Sequence, residues 1–194
     1  MTRLFRSLIL LTALWFLTAG LTCETRQVEV PVLGTAETPI QIETDTGAFS
    51  QDEVVDLTDI VQDILDQQDF DQVIAILLES VTYTITDNES AVNTMVSGEI
   101  QVSSSATGEL PPLIEMSGVN LTDIADVEQS PDLNAQGVLE INRAISPLAG
   151  GGNVIYIHVG GTATPAPPPL IRFKIVVKVT VTVVGLVETE VPVL

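Results

Sequence analysis

The sequence predicts a mainly β protein: an antiparallel β-sandwich of seven or so strands, immunoglobulin-like in architecture, with one acidic amphipathic helix and a shorter crossing helix. Three observations point there. Aromatic residues are scarce, at 4% of 194 residues, so the core must be built from Val, Ile and Leu, a composition that suits pleated surfaces. Long runs alternate apolar and polar residues with a period of two, above all from Ile171 to Val183. Turn residues break these runs at uneven intervals, as antiparallel strands of unequal length require.

Residues 23–48 read as a tether followed by N-terminal edge strands. Val28, Val30 and Val32 alternate with polar residues, and Pro31 and Pro39 suit a strand with only one neighbour. The pentapeptide Glu29–Leu33 recurs at Glu190–Leu194, which reads as a second Pro-interrupted edge and not as a repeat fold.

The clearest helix is expected from Ser50 to Gln68. Ser50 and Glu53 have capping-box spacing. Val54, Leu57, Ile60, Val61, Ile64 and Leu65 then share one helical face. Asp52, Asp56, Asp59, Asp63 and Asp66 share the opposite face, which is either a solvated surface or a face for a cation or a basic partner. The spacing has no calcium-loop signature.

From Val73 the period returns to two. Val81, Tyr83 and Ile85 alternate with threonines, residues 87–90 make a turn, and Val96, Ile100 and Val102 lie on a return strand with Gly98 as a bulge. A polar loop follows at 103–108, a short strand at 113–121 and an irregular stretch at 122–132. Val138, Ile141, Ile145 and Leu148 have helical spacing, although Gly137 disfavours it. The last third reads as a long hairpin of 154–164 with 170–184. In its second strand seven apolar residues from Ile171 to Val183 face one way, while Arg172, Lys174 and Lys178 face the other, placed to pair with acidic neighbours. The domain is taken as residues 49–194.

The chain has 26 acids against 7 bases, a formal charge of −19, which excludes nucleic acid as a partner. Mean hydropathy is +0.39, so the acidity does not signal disorder. Residues 1–22 have the layout of a signal peptide: Arg3 and Arg6, then the apolar stretch Leu8–Leu17, then small residues at Thr18, Ala19 and Gly20. The single cysteine, Cys23, follows directly. Here the chain resembles a bacterial lipoprotein precursor, with Gly20 where Leu is commonest and Thr22 before the cysteine. That resemblance covers about the first 23 residues and implies lipidation of Cys23 and a membrane partner through the anchor. Ordinary cleavage after Gly20 would instead leave Cys23 as a free thiol. Removing residues 1–22 takes two bases and no acids, which leaves −21.

No catalytic constellation stands out. His158 is the single histidine, which excludes two-histidine metal motifs, and it reads as a strand residue. There is no G-x-S-x-G elbow, P-loop or dinucleotide fingerprint, so neither cofactor nor metal is expected. A cleft joining His158 to an acid and a hydroxyl would argue for a hydrolase. The expected function is that of a non-enzymatic, exported cell-envelope protein, a lipid-anchored lipoprotein of the outer membrane or cell surface with a structural, adhesive or binding role and a protein partner. Periplasmic or extracellular release is the other location. The alternative function is carriage of an apolar ligand in a slot between two sheets.

Overall fold

The computed structural model describes residues 23–192 except 69, 91–92, 147–151 and 165–169. The signal segment, Leu148 and the Pro-rich connection at 165–169 lie outside the described residues. Strands dominate, at 62% of the described residues. In order they are β1 (Cys23–Thr44), β2 (Ala48–Asp56), β3 (Gln72–Thr86), β4 (Met95–Ser103), β5 (Pro112–Asn120), β6 (Val154–Thr164) and β7 (Ile171–Pro192). The helices are α1 (Thr58–Gln68), the single turn α2 (Leu121–Ile124) and α3 (Ala135–Ile145). The strands form two antiparallel sheets, β1-β7-β3 and β2-β6-β4-β5.

Strand β7 is the centre of the first sheet, and its pattern decides the sheet's two faces. Ile171, Phe173, Ile175, Val177, Val179, Val181 and Val183 are all at most 1% exposed. The intervening Arg172, Lys174 and Lys178 are half-buried on the other face. Strand β1 runs beside β7 along its whole length, from Cys23 opposite Pro192 to Thr44 opposite Ile171. The stretch expected as a tether is therefore strand, because each of its backbone groups on one side finds a β7 partner. It is an edge strand, as Pro31 and Pro39 require. Glu190–Pro192 of the second pentapeptide end β7 beyond Gln72–Leu186, the last pair with β3, where β7 too has one neighbour among the described residues.

The buried side chains of the two sheets form one cluster. Phe49 of β2 meets Phe173 of β7 edge-on, with ring centroids 6.0 Å apart. Its ring lies over Gly161, where a Cβ would come within 2.7 Å of the ring. Helix α1 packs on β1, and α3 packs on β3, β4, β5 and β6. A Cβ at Gly137 of α3 would stand 2.7 Å from Leu113 Cα and 2.8 Å from the Pro112 carbonyl oxygen. That close approach explains a glycine that helix propensity disfavours.

Three expectations are corrected. The helix does not begin at Ser50: residues 48–56 are strand β2, laddered on β6, and α1 begins at Thr58. Asp56, not Ser50, serves its first turn, with Oδ1 accepting the Thr58 amide at 2.8 Å, and hydrogen bonding from the Thr58 hydroxyl, then from its amide, holds the Asp56 carboxyl below its ordinary pKa. Leu57, Val61 and Ile64 are buried as the helical pattern implies, whereas Val54 is on the strand and 50% exposed. The β3–β4 hairpin is not formed, since β3 pairs with β7 and β4 with β5 and β6. The long C-terminal hairpin is not formed either, since β6 and β7 belong to different sheets. In each case adjacent strands cross between sheets, which period-two patterning cannot report. The Gly98 irregularity does occur, as a register shift between β4 and β5.

Candidate functional site

The chemistry-bearing residues gather on the face of the four-stranded sheet that points away from the buried cluster. The β2–β6 ladder places Ser50, Asp52 and Val54 opposite Gly160, His158 and Tyr156. Alternation sends all of these to that face, because Phe49, Val55, Ile155, Ile157 and Val159 are buried on the other. His158 Nδ1 and Asp52 Oδ1 are 2.7 Å apart. On the far side of β6, Gln101 lies opposite His158 and Glu99 opposite Gly160. Glu99 in turn lies directly opposite Glu115 of β5 and accepts a hydrogen bond from Gln101 Nε2 at 2.7 Å.

Two surface grooves flank this row. One, of about 550 Å³, is lined by Ser50, Glu99, Glu115, Ser117 and His158 over a floor of Gly160 and Gly161. The other, of about 450 Å³, lies between Asp52, Val54 and Tyr156 and the loop residues Ser105 and Leu110. Both linings mix acidic and polar groups with apolar ones, Phe49 and Met116 in the first and Val54, Leu110, Tyr156 and Ile157 in the second.

The five aspartates expected on one helical face are divided. Asp52 and Asp56 belong to β2, and Asp59, Asp63 and Asp66 belong to α1. The shared face fails because the chain changes from strand to helix at Leu57. Asp66 accepts a hydrogen bond from Gln62 within the helix. Among the described residues, no three of His, Cys, Asp and Glu converge as a metal would need. Cys23 is the first residue of β1.

Sequence reasoning missed the Asp52–His158 pair because it put Asp52 on a helix. The sequence offers no period-two signal there, since Gln51 and Glu53, which share a face with Phe49 and Val55, are as polar as Ser50 and Asp52 on the other. The basic residues of β7 do meet acids. Arg172 pairs with Glu43 of the neighbouring strand and with Glu89, both at 3.2 Å. Lys174 pairs with Asp87, and Lys178 reaches Glu128 at 3.4 Å. The Thr82 hydroxyl donates to Glu128 at 2.6 Å, and this bond, reinforced by Lys178, lowers the Glu128 pKa. Two asparagines close local turns: Asn88 Oδ1 accepts the Ser90 amide and Asn120 Oδ1 the Thr122 amide.

A histidine held by an acid beside hydroxyls is the arrangement a hydrolase would use. Here Asp52 is 84% exposed and the groove is open, so the pair stands in water and not in the dry setting that makes such dipoles effective.

No protein family and no curated protein matches the chain. Two solved structures, both of turnip yellow mosaic virus, are similar over much of its length. One, a structure at 100 K, shares 11% identity over 86% of this chain and 97% of that one, with a TM-score of 0.28. The other shares 18% identity over 85% of this chain and 84% of that one, also with a TM-score of 0.28. Likeness at this level carries no functional argument. Among the described residues no helix is long and apolar enough to cross a membrane.

Proposed function

We propose that the protein is an exported, lipid-anchored cell-envelope protein that binds a partner at its surface and is not an enzyme. The observation that carries this reading is the junction at Cys23. A charged segment and an apolar segment precede the chain's single cysteine. Lipid at Cys23 gives an unpaired cysteine a role in an oxidising compartment.

The finer architecture we read as a two-layer sandwich. The common buried cluster and the Phe49–Phe173 contact support it, and three strands over four is the division of an immunoglobulin-like domain. The buried side chains of both sheets join in one cluster, which supports binding at the surface over carriage of an apolar ligand between the sheets.

Intact mass after membrane extraction tests the anchor. An added mass of acyl size on a chain beginning at Cys23 is expected, and Cys23→Ser should release the protein in soluble form. A mature chain beginning at Leu21 with a free thiol overturns it. The Asp52–His158 pair beside Ser50 favours hydrolysis as the second reading; turnover of an activated ester that His158→Ala abolishes would establish it in place of the first.

A further inference from the structure

Two open-edged sheets have four edges, and three of them are occupied or interrupted. The β3 edge is taken by the segment after α2: Tyr83 and Gln129 exchange both backbone hydrogen bonds, at 3.1 and 2.8 Å, and the Asp126 amide donates to the Ile85 carbonyl at 2.8 Å. The β5 edge is met by the Asn134 amide, which donates to the Leu113 carbonyl at 2.9 Å. The β1 edge carries Pro31 and Pro39, eight residues apart in an unshifted ladder. A proline has no donor to give β7, so both stand where the backbone faces outward and interrupt that edge.

The β2 edge has no such guard. Its direction follows from two bonds in register with the β2–β6 ladder: the Ala163 amide donates to the Gly47 carbonyl at 2.6 Å, and the Leu57 amide to the Asn153 carbonyl at 2.7 Å. Odd-numbered residues therefore turn their backbone toward β6, and Ser50, Asp52 and Val54 turn theirs outward. Thr44 Oγ1 covers the first outward carbonyl, that of Ala48, at 2.7 Å. Among the described residues no group bonds to the outward backbone of Ser50, Asp52 or Val54. All three are exposed.

We propose that the β2 edge takes up one further strand, an extended basic segment of a partner protein. Charge selects the occupant. Asp52, Glu53 and Asp56 lie along β2 without a Lys or Arg beside them among the described residues, while Arg143, Arg172, Lys174 and Lys178 are engaged by Glu140, Glu43, Asp87 and Glu128. A second copy would set these acids against their own kind, which opposes pairing of β2 with itself. Register then selects the pattern. A residue added opposite Asp52 lies on the His158 face and wants a base. A residue added opposite Val54 lies beside Tyr156 and Leu110 and wants an apolar side chain. Backbone bonds supply affinity and alternate side chains supply specificity in this mode of recognition.

The inference rests on the sheet edge and not on the lipid at Cys23. An acylated chain that ignores a basic peptide would sink this proposal alone; a chain that binds it with Cys23 free would sink the lipid-anchor reading alone. The probe is a labelled heptapeptide, Lys-Thr-Val-Lys-Lys-Thr-Thr, titrated into the purified full chain by fluorescence anisotropy, with amide exchange read by NMR. Saturable binding is expected, with slowed exchange at Ser50, Asp52 and Val54 and affinity that falls severalfold between about 50 and about 300 mM NaCl. Val54→Pro removes an outward donor and leaves the β6 ladder intact, so it should weaken binding by about tenfold or more while the fold persists. Asp52→Asn with Glu53→Gln should weaken binding without touching the backbone, and a peptide with Glu in place of Lys should not bind. Undiminished binding by both variants, or equal binding of the Glu peptide, overturns the proposal. So does a dimer that Val54→Pro dissolves, which would make the occupant a second copy.

Discussion

Strands β7 and β2 lie in different sheets and answer to different rules. β7 is 22 residues long with a neighbour on each side over most of its length; β2 is nine residues long with one neighbour. In β7 every second side chain from Ile171 to Val183 is sealed from water, and each base on the reverse face meets an acid. In β2 only Phe49 and Val55 are buried, and the acids between them meet no Lys or Arg among the described residues, Asp52 pairing with His158 instead. A strand that holds its sheet together is specified by its own apolar alternation. A strand at an edge is specified by its neighbour, and its free side remains available for recognition.

The sharpest way to break this contrast is to place a charge on the sealed face of β7. Val177→Asp buries a carboxylate with no counter-charge, at a cost of several kcal/mol against a usual net stability of ~5–15 kcal/mol. Loss of the cooperative thermal transition is expected. A normal melt would refute the assignment of the face.

On the β2 side, the strongest contact with the common core is Phe49. Phe49→Ala removes the edge-on contact with Phe173 and leaves a cavity over Gly161, which should cost about 3–5 kcal/mol by urea unfolding. A loss below about 1 kcal/mol would mean that β2 is peripheral to the core.

Gly137→Ala sharpens the role of close packing. Helix propensity alone favours alanine by roughly 1 kcal/mol, whereas the clash with Leu113 and Pro112 should destabilise by about 1–3 kcal/mol. The sign of the change in the urea midpoint decides between them.

Smaller effects are expected on the charged surfaces. The formal charge of −19 opposes compaction, so the thermal midpoint should rise as NaCl approaches ~1 M, where the Debye length is about 3 Å. Replacing Asp59 and Asp63 with Asn should reduce that salt dependence, since like charges four apart on α1 cost a few tenths of a kcal/mol. A midpoint independent of salt would show that the acids are already neutralised. Smallest of all, Lys174→Gln breaks a surface pair with Asp87 worth ~0–1 kcal/mol, and the midpoint should barely move.

The sequence by itself determined what depends on near neighbours along the chain. Seven alternating apolar residues admit one sealed face in β7, two prolines admit only an edge for β1, and Leu57, Val61 and Ile64 admit one buried stripe on α1. Each is a local period read against water. Tertiary structure alone decided which strands pair, because the crossings after β3 and after β6 move consecutive strands into different sheets without altering their patterns. It also decided the state of residues 50–56, where the helical spacing of Val54 and Leu57 suggests a helix and the ladder to β6, with the Asp52–His158 bond, makes a strand. The candidate site was illegible for the same reason: Asp52 and His158 are 106 residues apart, and only the β2–β6 register brings them within 2.7 Å.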